Sequence, residues 1–171
     1  MENIMFMENG SLAMTTPKMV IAHDRGDPVS PIGMRLIDSD FLEEWEPSSP
    51  KSKAVLGTDG YIAPEVYLGN ACPKSDVFST GVIMYLLIAG RFPFDDAIFD
   101  DGPNDNYVGS PKMAEINARL ERYKVRFGRS FDPYPQAKDL CIRMLEFDPN
   151  KRPGAAEALR HPWFRARDVR D

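Results

Sequence analysis

The chain is 171 residues long and 43% hydrophobic, with Lys+Arg 21 against Asp+Glu 26 and a formal net charge of −5 at pH 7. That is enough chain for one domain with a buried core, and the mildly acidic balance argues against a binder of nucleic acid or of an anionic membrane surface. Two widely separated cysteines, Cys72 and Cys141, build neither a disulfide framework nor a zinc site, so a reducing compartment is expected.

The N-terminal residues 1–10 lack a basic start and a long apolar run, and so read as carrying no secretory address. The cytoplasm is the default expectation. Three apolar runs, at 4–7, 18–21 and 34–37, alternate with turn formers such as Asn9-Gly10 and the Gly26-Asp27-Pro28 stretch, which predicts a small antiparallel sheet or hairpin. Residues 42–53, with Pro47, Ser48, Ser49, Pro50 and Ser52 among charges, read as an exposed loop.

Beyond Pro64 the pattern turns helical. Pro73-Lys74-Ser75-Asp76 carries helix-start signals, and residues 77–89 are apolar on nearly every face, as in a helix buried on all sides. Flanked by Asp76 and Arg91, this stretch falls short of the ~20 residues of a membrane span. Within 111–123, Met113, Ile116, Leu120 and Tyr123 recur at helical spacing opposite Lys112, Glu115, Arg119 and Glu121, which predicts an amphipathic surface helix. Ala137, Leu140, Cys141, Met144 and Leu145 mark another helix, ended by Asp148-Pro149, in which Cys141 is a small core residue and no nucleophile. A last short helix is expected over 153–159, with Pro153 at its first position.

Several segments stand in the order of the C-terminal lobe of a eukaryotic protein kinase. Gly57-Thr58-Asp59-Gly60-Tyr61-Ile62-Ala63-Pro64-Glu65 resembles the end of a kinase activation segment. Ser75-Asp76-Val77-Phe78-Ser79-Thr80-Gly81-Val82 resembles the start of that family's central helix, and Ala89-Gly90-Arg91-Phe92-Pro93-Phe94 the turn after it. Asp148-Pro149-Asn150-Lys151-Arg152-Pro153 and His161-Pro162-Trp163-Phe164 resemble its closing helices, in the style of the calcium/calmodulin-dependent group. The fold class implied is mainly α with a small N-terminal β hairpin, a kinase-like C-terminal lobe over 1–164. An inserted loop at 11–31 and a tail at 165–171 complete the expected organisation.

The resemblance also implies roles. Glu65 and Arg152 are expected to form a buried ion pair, Asp76 to hold the catalytic loop's backbone, Gly81 to serve within the central helix, and Gly57, Thr58, Gly60 and Tyr61 to form the substrate loop. Trp163 and Phe164 read as core anchors and His161 as a structural histidine. Glu2-Asn3-Ile4-Met5-Phe6 resembles the end of a catalytic loop, with Asn3 as a magnesium ligand, and Asp38 in Asp38-Ser39-Asp40 stands where the second metal-binding carboxylate belongs. Ser39 and Asp40 replace the family's Phe and Gly; Asp40-Phe41 is the alternative placement of the motif. ATP and Mg2+ are the cofactors implied for a complete domain, held in part by Asn3 and Asp38.

The general base falls upstream of Met1, so no catalytic residue is expected within this chain, and neither a Gly-x-Gly-x-x-Gly loop nor a Val-Ala-x-Lys strand occurs in it. The reading is therefore a protein serine/threonine kinase from which this chain, taken alone, is inactive. The alternative is a pseudokinase-like module that holds a protein substrate or a complete kinase. A third reading is a fragment that folds poorly, with apolar surface left bare around residues 4–6 and 36–41. Ser49 and Ser52 are candidate phosphorylation sites.

The acidic residues Asp95, Asp96, Asp100, Asp101 and Asp105 do not make an EF-hand. Aligning Gly109 to the loop glycine puts Asn104, Asn106, Val108 and Glu115 at the ligand positions, with valine at the fifth. They read as an exposed loop able to meet basic residues of a protein partner.

Overall fold

The computed structural model describes residues 44–102 and 104–165 in full and, before them, the backbone of three short strands. The chain divides into two compact units, Met1–Glu44 and Trp45–Asp171. In the first, β1 (Ile4–Met7), β2 (Lys18–Met19) and β3 (Ile32–Leu36) run antiparallel in the order β1-β3-β2, with Ile4 opposite Leu36 and Lys18 opposite Gly33. Of the expected antiparallel sheet or hairpin, the backbone traces a three-stranded antiparallel sheet with β3 between β1 and β2, and a simple N-terminal hairpin is not supported. Most of the inserted loop expected at 11–31, and residues 166–171 of the tail, lie outside the described residues.

The second unit is helical. Its one pairing of extended backbone among the described residues is an isolated bridge between Ala54 and Tyr107. A tight turn at Pro64–Leu68 leads to α1 (Pro73–Ala89), which begins four residues before its apolar stretch. The reason is local: Cys72 caps the helix, its N–H donating to Ser75 Oγ at 3.1 Å, and Pro73 supplies a pre-set first turn. Gly90, at φ +68°, ends the helix in the left-handed region and returns its N–H to Leu86 O at 2.8 Å.

Val77, Phe78, Val82 and Tyr85 of α1 are buried, but the helix is not covered on all sides as expected. Leu87 is 60% exposed, and Asp76 and Thr80 are exposed with it. No described element covers that face.

In α2 (Pro111–Arg122), Ser110 Oγ accepts the Met113 N–H at 3.1 Å, and Met113, Ile116 and Leu120 face the core, as their spacing predicts. Tyr123 lies just past its end in extended backbone. α3 (Pro135–Met144) buries Ala137, Leu140, Cys141 and Met144 and packs against α1. Gly81 permits that approach: a Cβ there would lie 2.9 Å from Met144 Cβ.

The last helices depart from expectation. Pro153 is buried ahead of a Gly154 cap, so α4 covers only Ala155–Ala158, and α5 covers Pro162–Arg165. Trp163 is half-buried with its ring edge-on to Tyr134, whereas Phe164 is exposed and is no core anchor. His161 Nδ1 accepts the Trp163 N–H at 3.2 Å, which leaves Nε2 to donate to Asp139 at 2.8 Å. His161 thus ties α5 to α3.

Cys141 is fully buried beside the Gly81 carbonyl, and burial pushes its thiol up to about 12. In the folded chain at pH 8, a thiol reagent is expected to titrate Cys72 and leave Cys141 untouched until denaturant is added. Rapid reaction of both thiols without denaturant would show that the α1–α3 core opens.

Candidate functional site

The segment from Gly57 to Glu65 is held by the core at its C-terminal end and in its middle. At its C-terminal end Glu65 is 7% exposed and Arg152 1% exposed. The two form a bidentate pair, Nη1 to Oε1 at 2.8 Å and Nη2 to Oε2 at 2.9 Å. The remaining guanidinium hydrogens go to the carbonyls of Lys74 (2.7 Å), Phe147 (3.1 Å) and Glu146 (2.8 Å), which satisfies all five N–H donors. Ser75 Oγ adds a third bond to the Glu65 carboxylate at 2.7 Å, and the guanidinium carbon lies 5.0 Å from the centroid of the Phe78 ring. A charge pair this dry is tolerable only because each polar atom has a partner.

The middle of the segment is pinned from two helices. Ser79 Oγ of α1 donates to the Tyr61 carbonyl at 2.8 Å, and Asn117 Nδ2 of α2 donates to the Pro64 carbonyl at 2.8 Å. The Tyr61 ring meets Phe92 edge-on at 5.1 Å. Two glycines allow the path. Gly57 at φ +132° and Gly60 at φ +83° occupy backbone that a side chain resists, and a Cβ at Gly60 would crowd the Phe92 ring at 3.3 Å.

The outer surface is polar. Thr58 and Asp59 are exposed, and the buried Tyr67 donates its hydroxyl to Asp59 Oδ1 at 3.1 Å. Desolvation and the nearby Asp101 carboxylate raise the Asp59 carboxyl above the usual range, against the lowering effect of the Tyr67 hydroxyl. Burial chiefly, helped by Asp59, raises the Tyr67 hydroxyl. A cleft of about 220 Å³ opens between Asp59-Gly60 and the loop carrying Phe92 and Asp96. The acidic loop beyond is only partly free: Asp100 is bridged to Lys112 at 3.3 Å and to Arg119 at 2.6 Å, while Asp105 accepts the Gly102 N–H at 3.0 Å.

Of the residues singled out from sequence, Gly57, Thr58, Gly60, Tyr61, Glu65, Asp76, Gly81 and Arg152 fall in this unit. Gly57 through Glu65 and Arg152 are brought together. Asp76 sits in the first turn of α1 on its exposed face, away from any described partner, and Gly81 faces α3. Asn3 and Asp38 lie outside the described residues. No group of three or more His, Cys, Asp or Glu side chains is placed to hold a metal among the described residues.

The reading of the sequence missed Ser75, Asn117, Ser79, Tyr67 and Phe78 as parts of this site. Ser75, Phe78 and Ser79 lie in the stretch that resembles the start of the central helix, which says nothing of their contacts with the loop, and no local pattern marks Asn117 or Tyr67. Ser49 and Ser52 differ in setting: Ser49 Oγ accepts the Glu46 N–H at 2.9 Å, whereas the half-buried Ser52 hydroxyl is bonded to the Ala54 carbonyl at 2.6 Å.

Residues 1–164 match the family described as protein kinase domain. Among curated proteins, calcium-dependent protein kinase 27 of Arabidopsis thaliana is 35% identical over 117 residues, covering 68% of this chain and 22% of the relative. Calcium-dependent protein kinase 3 of Plasmodium yoelii yoelii is 32% identical over 134 residues, covering 77% and 22%. The serine/threonine-protein kinase H1 homolog of Danio rerio is 36% identical over 119 residues, covering 66% and 24%. The chain thus spans less than a quarter of the length of each of these relatives. Among the described residues no helix is long and apolar enough to cross a membrane.

Proposed function

Since this chain belongs to the protein kinase family, with its likeness on the calcium-dependent serine/threonine side, we propose that it is the lower part of a domain that transfers the terminal phosphoryl group of ATP to a protein Ser or Thr. The observation that carries this is the Gly57–Glu65 segment clamped by the Glu65–Arg152 pair. A rigid loop with exposed Thr58 and Asp59 is suited to holding an extended peptide, and positioning is most of what such a reaction asks of its protein.

In the complete domain Asn3 and Asp38 hold Mg2+. An amide oxygen and a carboxylate are the hard oxygen donors that ion takes, and Mg2+ neutralises charge on the phosphates when bound. The register of β1 and β3 supports the assignment, because Ile4 and Leu36, the paired residues, are close sequence neighbours of Asn3 and Asp38. The same strands serve as the floor of the nucleotide site. Asp76, exposed on the face of α1, is suited to accept backbone N–H groups in the complete domain.

By itself the chain transfers no phosphate. No Gly-rich loop and no strand lysine occur in these residues, and those groups cover and position the phosphates for the reaction. Purified chain incubated with labelled ATP and a basic peptide is expected to leave the peptide unlabelled. Labelling that disappears in Asp38→Ala would refute this.

The transcript upstream of the Met1 codon tests the wider proposal. An in-frame stretch encoding His-Arg-Asp, a Gly-rich loop and a strand lysine is expected. A stop codon close upstream would overturn it in favour of a pseudokinase-like module that holds a substrate or a complete kinase, a reading favoured by the Asp38-Ser39-Asp40 triplet.

A further inference from the structure

Beyond α2 the chain runs extended through residues 123–128 before the short turn Arg129–Phe131. Its side chains alternate. Tyr123, Val125 and Phe127 turn inward, with Tyr123 against Phe94 at 5.8 Å and Phe127 against Phe131 at 4.9 Å and Tyr85 at 5.4 Å. Lys124 and Arg126 are consequently exposed, with Arg122 before them and Arg129 after them. The backbone is fixed at its centre, where the Tyr85 hydroxyl donates to the Arg126 carbonyl at 2.6 Å.

Several cations of the fold are compensated. Lys112 and Arg119 of α2 are bridged to Asp100 and Glu115, Arg143 to Asp139, and Arg152 to Glu65. Arg122, Lys124, Arg126 and Arg129 have no ion pair and no side-chain hydrogen bond among the described residues. Four uncompensated positive charges in eight residues, on a chain of net charge −5, form a local field opposite in sign to the whole.

We infer that this row is a docking site for an extended acidic segment of a partner protein. Alternate side chains on extended backbone stand about 6.6–7 Å apart, so a second extended chain with acidic residues at alternate positions meets Lys124 and Arg126 in register, with Arg122 at the end of α2 and Arg129 in the following turn flanking them. The row is single-file and bounded by the exposed acids Glu121 and Asp132, which suits a short segment better than a long polyanion. Its apolar neighbours Tyr123, Val125 and Phe127 are half-buried against the core and line a cleft, so none projects outward to insert into a bilayer. Lys124 borders the same cleft as Pro64, near the end of the Gly57–Glu65 segment, and the proposal does not depend on phosphoryl transfer.

The test uses the 171-residue chain and a fluorescein-labelled peptide of alternating Glu and Ser, read by anisotropy at low and at raised salt. Binding is expected that weakens with salt and exceeds that of a Gln-Ser peptide. Lys124→Glu with Arg126→Glu is expected to weaken it about tenfold or more, with an unchanged melting temperature, and Lys124→Gln with Arg126→Gln by a smaller factor. Lys138→Glu with Arg160→Glu makes the same change in net charge and is expected to leave binding within about twofold. Equal weakening by both reversed pairs, or equal binding of the Gln-Ser peptide, overturns the proposal. So does capture of phosphatidylserine vesicles or a single-stranded oligonucleotide by a chain that ignores the acidic peptide.

Discussion

Arg152→Met, with Glu65 left in place, is expected to destabilise the helical unit by about 3–5 kcal/mol. The change strands the Glu65 carboxylate in a site where it is 7% exposed, with the Ser75 hydroxyl as its remaining side-chain donor. It also removes the donors from three carbonyls, those of Lys74, Glu146 and Phe147. A double variant, Glu65→Leu with Arg152→Met, removes the stranded charge but not the orphaned carbonyls, so it recovers only part of the loss. Urea titration of the three proteins reads this through the shift in midpoint at constant slope. As a scale, Arg143→Ala breaks an exposed pair with Asp139 and is expected to cost about 0.5 kcal/mol or less. A loss for Arg152→Met no larger than that would mean the pair does not hold the loop.

Phe78→Ala is expected to cost a comparable amount, about 3–5 kcal/mol, for a different reason. Phe78 is 1% exposed, stacked on Phe94 with ring centroids 5.7 Å apart, and it lies beneath the Arg152 guanidinium. Deleting the ring opens a cavity between α1 and the loop that follows it, and leaves the guanidinium without its aromatic support. Because Phe78 and Arg152 touch, their effects should not add: a double-mutant cycle is expected to return a coupling of about 0.5–3 kcal/mol. Additivity within about 0.5 kcal/mol would show that the ring packs independently of the ion pair. Phe78→Leu keeps most of the volume and should cost less than about half as much.

The helices were legible because burial imposes a period. Met113, Ile116 and Leu120 repeat at helical spacing because one face of α2 meets the core, and Ser110-Pro111 marks its start because a hydroxyl and a proline satisfy the first turn. The Gly57–Glu65 segment was legible as a motif for another reason, since Gly57 and Gly60 sit where the backbone needs positive φ. The period-2 alternation at 123–128 was also present in the sequence, but its meaning depended on knowing that its cations form no ion pair among the described residues.

What failed to show was whatever depends on a neighbour distant in the chain. Nothing near Ser75 announces that its hydroxyl will reach Glu65 ten residues back, and nothing near Asn117 announces the Pro64 carbonyl 53 residues back. Phe164 read as apolar and therefore buried, yet α5 carries it outward. The uniform apolar character of α1 predicted cover on every side, whereas Leu87 stands exposed.

Composition and local pattern by themselves determined the helical class of residues 64–165 and the amphipathic faces of α2 and α3, while the loop that ends at Glu65 was marked by its resemblance to a family motif. Each follows from interactions within a few residues, which sequence order already encodes. Only the tertiary structure decided that five donors of Arg152 converge on one carboxylate and three carbonyls, and that Arg122, Lys124, Arg126 and Arg129 remain unpaired. Those outcomes are sums over contacts far apart in the chain, and a charge is compensated or left bare only when the fold has placed everything around it.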